Sequence, residues 1–230
     1  MSKLKALILD AGGVLVRPMH GNWNIPARYR DFLGADADSV SSEAYRTACA
    51  AEADLLREDI FISGMEEEYA RRLEFLRRVG ARMHWKISDE AYAALAQDFT
   101  WNPDRYIWYA DVPIWLPRWS RRMRLGILSD SMPSFRHVVE GHPCAADLHA
   151  LVISTEIGAG KPDARMYQTA ADRLGVAPEE CLFVDDREGN LQGARKIGMR
   201  ALRMNRDAAA PAAEEVRNLE ELNAYMEGLF

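Results

Sequence analysis

The hydrophobic positions change rhythm twice along the chain. Residues 4–9 form a short apolar run without helical spacing, closed by Asp10, Ala11, Gly12 and Gly13 before Val14, Leu15 and Val16 resume it. A run of that length ended by two glycines predicts a parallel strand buried on both faces, with Asp10 at its carboxyl end. From residue 17 to about 34, Pro18, Gly21 and Pro26 break the pattern, so a loop-rich entry is expected. Apolar residues then recur at helical spacing among charges over 41–57, 65–79 and 88–99, and Ser88, Asp89 and Glu90 read as a helix start with acids in its first turn. Amphipathic helices with no strand between them predict a separate helical subdomain over 17–105, with Trp85, Trp101 and Trp108 as packing residues.

Beyond residue 111 the pattern alternates. Strands are expected over 123–128, ending at Ser129, and over 151–154, 181–184 and 200–204. Helices are expected over 114–122, 163–174, 188–197 and 219–228, two of them stopped by Gly175 and Gly198. Strand and helix in alternation make a doubly wound α/β fold, a parallel sheet with helices on both faces. The right-handed crossover rule brings the carboxyl ends of its strands to one edge, where ligands bind. The expected organisation is an α/β core of 1–16 and 106–230 with a helical insert of 17–105.

Composition narrows the function without choosing it. A chain of 230 residues, 48% hydrophobic and 28% charged, holds one large domain or a core with an insert. A net charge of -6 with scattered Lys and Arg leaves no footprint for nucleic acid or an anionic membrane surface. Cys49, Cys144 and Cys181 stand far apart, so neither a disulfide framework nor a zinc site is suggested, and a cytoplasmic location is expected. The opening apolar run is too short for a signal peptide, and no later run approaches a membrane span. His84, His137, His142 and His149 lie away from strand ends without ligand spacing and read as surface or packing residues. A homo-oligomer is left open.

Four features fall at or just beyond strand ends: Asp10; Ser129 with Asp130 and Ser131; Lys161 in Gly160-Lys161-Pro162-Asp163; and Asp185-Asp186. Singly, each reads as a cap or a turn. Together they supply a nucleophilic carboxylate, a hydroxyl with nearby backbone donors, a fixed cation and a second carboxylate. That set suits a phosphoryl group and Mg²⁺: metal between Asp10 and Asp186, phosphate oxygens held by Lys161 and the donors around Ser129 and Asp130. Asp10 would attack, forming an aspartyl-phosphate that water hydrolyses.

In this order, Asp10-Ala11-Gly12-Gly13-Val14-Leu15, Ser129, Gly160-Lys161-Pro162-Asp163 and Val184-Asp185-Asp186-Arg187-Glu188-Gly189-Asn190 resemble the four motifs of the haloacid dehalogenase-like (HAD) hydrolase superfamily. The helical insert resembles that family's cap between motifs one and two. The resemblance implies a Rossmann-like core, Asp10 as nucleophile and metal ligand, a Gly12 carbonyl on Mg²⁺, Ser129 and Lys161 on phosphate, and Asp186 as acidic metal ligand assisted by Asp185. It implies a phosphatase of a small phosphorylated metabolite. One position departs from the pattern: most phosphatases of the superfamily carry a second Asp where this chain has Gly12. A glycine moves no proton, so a rate factor of roughly 10²–10⁴ must come from elsewhere, with His20 or acids of the insert as candidates. The departure keeps two alternatives open, a metal-free haloacid dehalogenase and a protein that binds a phosphorylated ligand or partner without turnover.

Overall fold

The computed structural model describes residues 3–210 and 212–228. In chain order its elements are β1 (Ala6–Leu9), β2 (Val16–Pro18), α1 (Tyr29–Leu33), α2 (Glu43–Ala51), α3 (Met65–Met83), α4 (Asp89–Trp101), β3 (Tyr106–Trp108), α5 (Val112–Ser120), β4 (Arg124–Ser129), α6 (Ser134–Glu140), β5 (Ala150–Ile153), α7 (Ser154–Ile157), α8 (Ala164–Leu174), β6 (Cys181–Asp185), α9 (Glu188–Lys196), β7 (Arg200–Met204), β8 (Glu215–Val216) and α10 (Leu219–Glu227). Six strands form one parallel sheet in the order β5-β4-β1-β6-β7-β8, and β2 pairs with β3 separately.

β1 lies inside the sheet, bonded to β4 from Ala6↔Arg124 to Leu9↔Ile127 and to β6 from Ala6↔Cys181 to Leu9↔Val184. This explains its unbroken apolar run, since all four residues are buried. Ala6 and Ile8 point into a core with Leu128, Phe183, Met166, Tyr167, Leu174 and Leu191, supplied by β4, β6, α8 and α9. Leu7 and Leu9 alternate to the opposite face and are equally buried; there α5 packs on β4, and Trp119 of α5 donates to Asn223 of α10 at 3.0 Å. Local signals set the helix ends. Asp163 accepts from the Arg165 amide at the start of α8, Asn218 from the Glu221 amide at the start of α10, and left-handed Gly175 closes α8.

The chain divides into two compact units. One comprises Met1–Arg17, Glu58–Phe61 and Trp108–Phe230; the other comprises Pro18–Arg57 and Ile62–Ile107. The second is helical and has its own core, built from Tyr29, Leu33, Tyr45, Phe75, Leu76, Val79, Trp85, Leu95 and Phe99. It also buries an ion pair, Arg72 to Glu68 at 2.7 Å, with the Arg72 guanidinium over the Phe99 ring at 3.9 Å. A segment inside the insert, Glu58–Phe61, belongs with the first unit, where it runs beside Gly158 and Gly160.

Several expectations need adjustment. Residues 41–57 are a shorter helix, α2, followed by a 3-10 turn over Ala53–Leu56. Ser154, expected to end a strand, starts α7. The helices α1 and α6 and the two-residue strand β8 lacked a periodic signal, being too short to show one. Trp85 is buried, but Trp101 is 42% exposed and packs by one side on Tyr69. Of the four histidines read as surface or packing residues, His142 stacks on Trp108 at 4.1 Å and His149 Nδ1 accepts from the Leu125 amide, while His84 and His137 are exposed. All three cysteines are buried and free, and no helix among the described residues is long and apolar enough to cross a membrane.

Candidate active site

The site lies at the carboxyl edge of the sheet, where β1, β4 and β6 end side by side. Asp10 directly follows β1, and its amide donates to Val184 O at 2.9 Å, which fixes the residue against β6. The chain then turns sharply: the amides of Val14, Leu15 and Val16 all donate to Ala11 O, and Gly13 donates to Val16 O. Gly13 adopts φ 73°, a conformation side chains rarely take. A Cβ there would stand 2.8 Å from Asp186 Oδ2, so the second glycine is what lets the turn approach that carboxylate.

Lys161 is the centre of the charge arrangement. Its side chain is buried, and Nζ donates to Asp10 Oδ1 at 2.5 Å, Asp185 Oδ2 at 2.8 Å and Leu128 O at 3.2 Å. These contacts employ all three ammonium protons. Asp130 Oδ1 accepts the Lys161 amide at 2.9 Å. Its carboxylate therefore holds the lysine loop, and only the backbone around Asp130 is left to donate to a phosphate, which a carboxylate would repel. Ser129 ends β4 and is buried. Beside it Ser131 donates its amide to Ser154 Oγ, while its own buried Oγ has no partner among the described residues.

The two acids of the fourth motif have different environments. Asp185 is fully buried and accepts from Lys161, from the Arg187 amide at 2.8 Å and from Asn190 Nδ2 on both oxygens at 3.1 and 3.0 Å. It is a saturated anchor for Lys161. Asp186 is half-buried and faces Gly13. One oxygen from each of Asp10, Asp185 and Asp186 lies within 4.8 Å of the others. Asn190 belongs to the fourth motif, and the resemblance implies no role for it. Its signal was the spacing of five from Asp185, which on the first turn of α9 folds an amide back onto the strand end.

Burial pushes the Asp10 carboxyl up, Lys161 pulls it back, Asp185 and Asp186 push it further, and it stands at about 7. Burial and then Asp185 likewise raise Asp186. Burial alone would lower Lys161, but the carboxylates of Asp10, Asp185 and Asp130 hold it above its ordinary value. Three carboxylates thus crowd around one ammonium. That surplus of hard, negative oxygen is the donor chemistry that suits Mg²⁺, and Asp10 and Asp186 are the pair with coordination capacity to spare.

The sequence pattern of the haloacid dehalogenase-like hydrolases matches residues 4–198, a span that includes every residue just described. The chain belongs to that family. Among curated members, it is 39% identical over 113 residues to "Phosphatase MT3486" of Mycobacterium tuberculosis, covering 47% of this chain and 50% of that protein. It is 35% identical over 115 residues to the phosphoserine phosphatase of Thermus thermophilus, covering 49% and 46%. The chain thus spans about half the length of these curated relatives. The L-2-haloacid dehalogenase structure from Xanthobacter autotrophicus superposes with a TM-score of 0.68 over 98% of this chain and 99% of that one, at 17% identity. That likeness shows a shared haloacid dehalogenase-like fold.

Proposed function

We propose that this HAD-like hydrolase is a Mg²⁺-dependent phosphatase of small phosphorylated metabolites. The observation that carries the reading is the convergence of the Asp10, Asp185 and Asp186 oxygens within 4.8 Å of one another, with Asp10 and Asp185 both paired to the Lys161 ammonium. Asp10 and Asp186, with the Gly12 carbonyl of the neighbouring turn, are the groups that would hold the metal. Bound there, Mg²⁺ supplies the charge neutralisation that lets a carboxylate approach a phosphate anion.

The chain's own residues do the rest. Asp10 attacks phosphorus, the bond to the leaving oxygen breaks, and an aspartyl-phosphate forms; water then attacks that phosphorus, releasing inorganic phosphate and restoring the carboxylate. Lys161 holds Asp10 in place through its 2.5 Å bond and opposes the charge that builds on the phosphoryl oxygens. The backbone around Ser129 and Asp130 supplies further donors. Activity should therefore vanish in EDTA and return with Mg²⁺ across a panel of phosphate esters, and Asp186→Ala should raise the Mg²⁺ requirement at least tenfold. Turnover unaffected by EDTA would sink the reading.

Gly12 favours a second reading, because displacement of halide by Asp10 needs no acid for the leaving group. Release of halide from 2-halo-acids in EDTA, without hydrolysis of any phosphate ester, would establish it.

Within the phosphatase reading Gly12 has a kinetic consequence. Without a positioned acid the departing oxygen leaves with its charge, so aryl, acyl and anomeric phosphates should outrun alkyl phosphates. Without a base the second step is slow. An aryl phosphate should give a burst of product equal to the enzyme concentration before a slower steady phase. Equal turnover of alkyl and aryl esters with no burst would show that another group moves the proton.

A further inference from the structure

The turn that carries Asp10, Gly12 and Gly13 is not held by its own hydrogen bonds alone. Arg206, two residues beyond β7, donates to Val14 O twice, from Nη2 at 2.6 Å and Nε at 3.0 Å. The same guanidinium pairs with Asp111 in a fork, Nη1 to Oδ2 at 3.0 Å and Nη2 to Oδ1 at 3.1 Å, and lies over the Tyr109 ring at 3.8 Å. Asp111 Oδ2 also accepts the Leu219 amide at 3.0 Å. The arginine is nearly buried, with a side chain 11% exposed, so these bonds form away from bulk water. Four directed donors and a stacked face are a geometry that only a guanidinium supplies; an ammonium would reach one side of the fork.

We infer that Arg206, seated on Asp111, is a positioning residue that fixes the Asp10–Val16 turn so that the Gly12 carbonyl and Asp10 meet Asp186 at metal-binding distance. The inference rests on the phosphatase reading for what the turn does, though the clamp is visible without it. Val14 sits one residue after Gly13, which itself lies against Asp186, so a shift at the Val14 carbonyl is passed directly to the face that meets this acid. With Arg206 truncated, Val14 O loses both its donors among the described residues, and the turn relaxes to find others.

The test uses the full chain and Mg²⁺ alone, with no substrate. Wild type, Arg206→Met and Arg206→Lys are titrated with Mg²⁺ by calorimetry, and amide hydrogen exchange is followed over residues 10–17. Positioning predicts at least tenfold weaker Mg²⁺ binding in both variants, with faster exchange confined to that turn. A role in general stability alone would lower the melting temperature and leave folded molecules binding Mg²⁺ as the wild type does. Unchanged affinity with unchanged exchange over 10–17 overturns the inference. If the wild type itself binds no Mg²⁺, the phosphatase reading fails, and the exchange measurement alone then decides whether Arg206 fixes the turn. If Arg206→Met does not fold, Arg206→Lys is read by the same criteria.

Discussion

Replacing Asp10 with Asn should lower turnover of an aryl phosphate by roughly 10⁴-fold or more while leaving the protein folded. The amide is neutral, a poor nucleophile and a weaker ligand for a hard cation. The fold should tolerate it, because Asn keeps an oxygen that accepts from Lys161 and removes one of three crowded carboxylates. The sign of the stability change follows from the carboxyl's position at about 7. A carboxyl raised on folding is harder to ionise in the native state than in the unfolded chain, so its charge opposes folding increasingly as pH rises above about 4. Near neutral pH and without added metal, Asp10→Asn should therefore melt at or above the wild-type temperature. A well-folded variant that retains phosphatase activity would end the assignment of Asp10 as nucleophile.

Lys161→Met should have the opposite effect on stability. The ammonium is buried between Asp10 and Asp185, and removing it leaves buried carboxylates without their cation. Breaking a buried pair from one side costs about 3–5 kcal/mol. The loss should grow as pH rises through about 7, where Asp10 ionises beside Lys161 in the wild type but stays protonated in the variant that lacks the cation pulling it back, and should level off at lower pH. Turnover should fall by about 10²–10³-fold in molecules that remain folded, the range seen when one charge-stabilising donor is removed. Urea unfolding at several pH values measures the first effect. A deficit independent of pH, or a change in turnover of only a few-fold, would reduce Lys161 to a loop residue.

The core strands were legible because burial on both faces leaves no room for polar alternation. β1 and β6 read as plain apolar runs, and their Asp termini marked the site edge. What escaped notice was short or dependent on partners distant in sequence. β8 has two residues, and α6 seven, too few for a period to show. The motifs point to Asp10, Lys161, Asp185 and Asp186 as one group, and the structure places these four side chains close together, but no motif tells which side chain is bonded to which. That Asp185 is saturated by Asn190 and Lys161, and that Asp130 grips the Lys161 amide, depends on side-chain directions that no spacing encodes. Arg206 was invisible for the same reason: it lies in no motif, and its partners Val14 and Asp111 are far away along the chain.

The place where the helical unit interrupts the chain has a consequence for assembly. Strand β1 must wait for β4 and β6, both made much later, and closing so long a loop costs about 4 kcal/mol of chain entropy when the intervening segment is unfolded. The insert, however, begins and ends at the same spot. Met19 donates to Arg105 O at 2.9 Å on one side of the crossing, and Tyr109 donates to Leu15 O at 3.0 Å on the other. Once the insert has folded around its own core, the strand bearing the nucleophile is joined to the rest of the sheet by what amounts to a hairpin. Most of that entropy has then already been spent locally, by helices whose contacts lie close together along the chain, and the slow pairing of parallel strands starts from a tethered end.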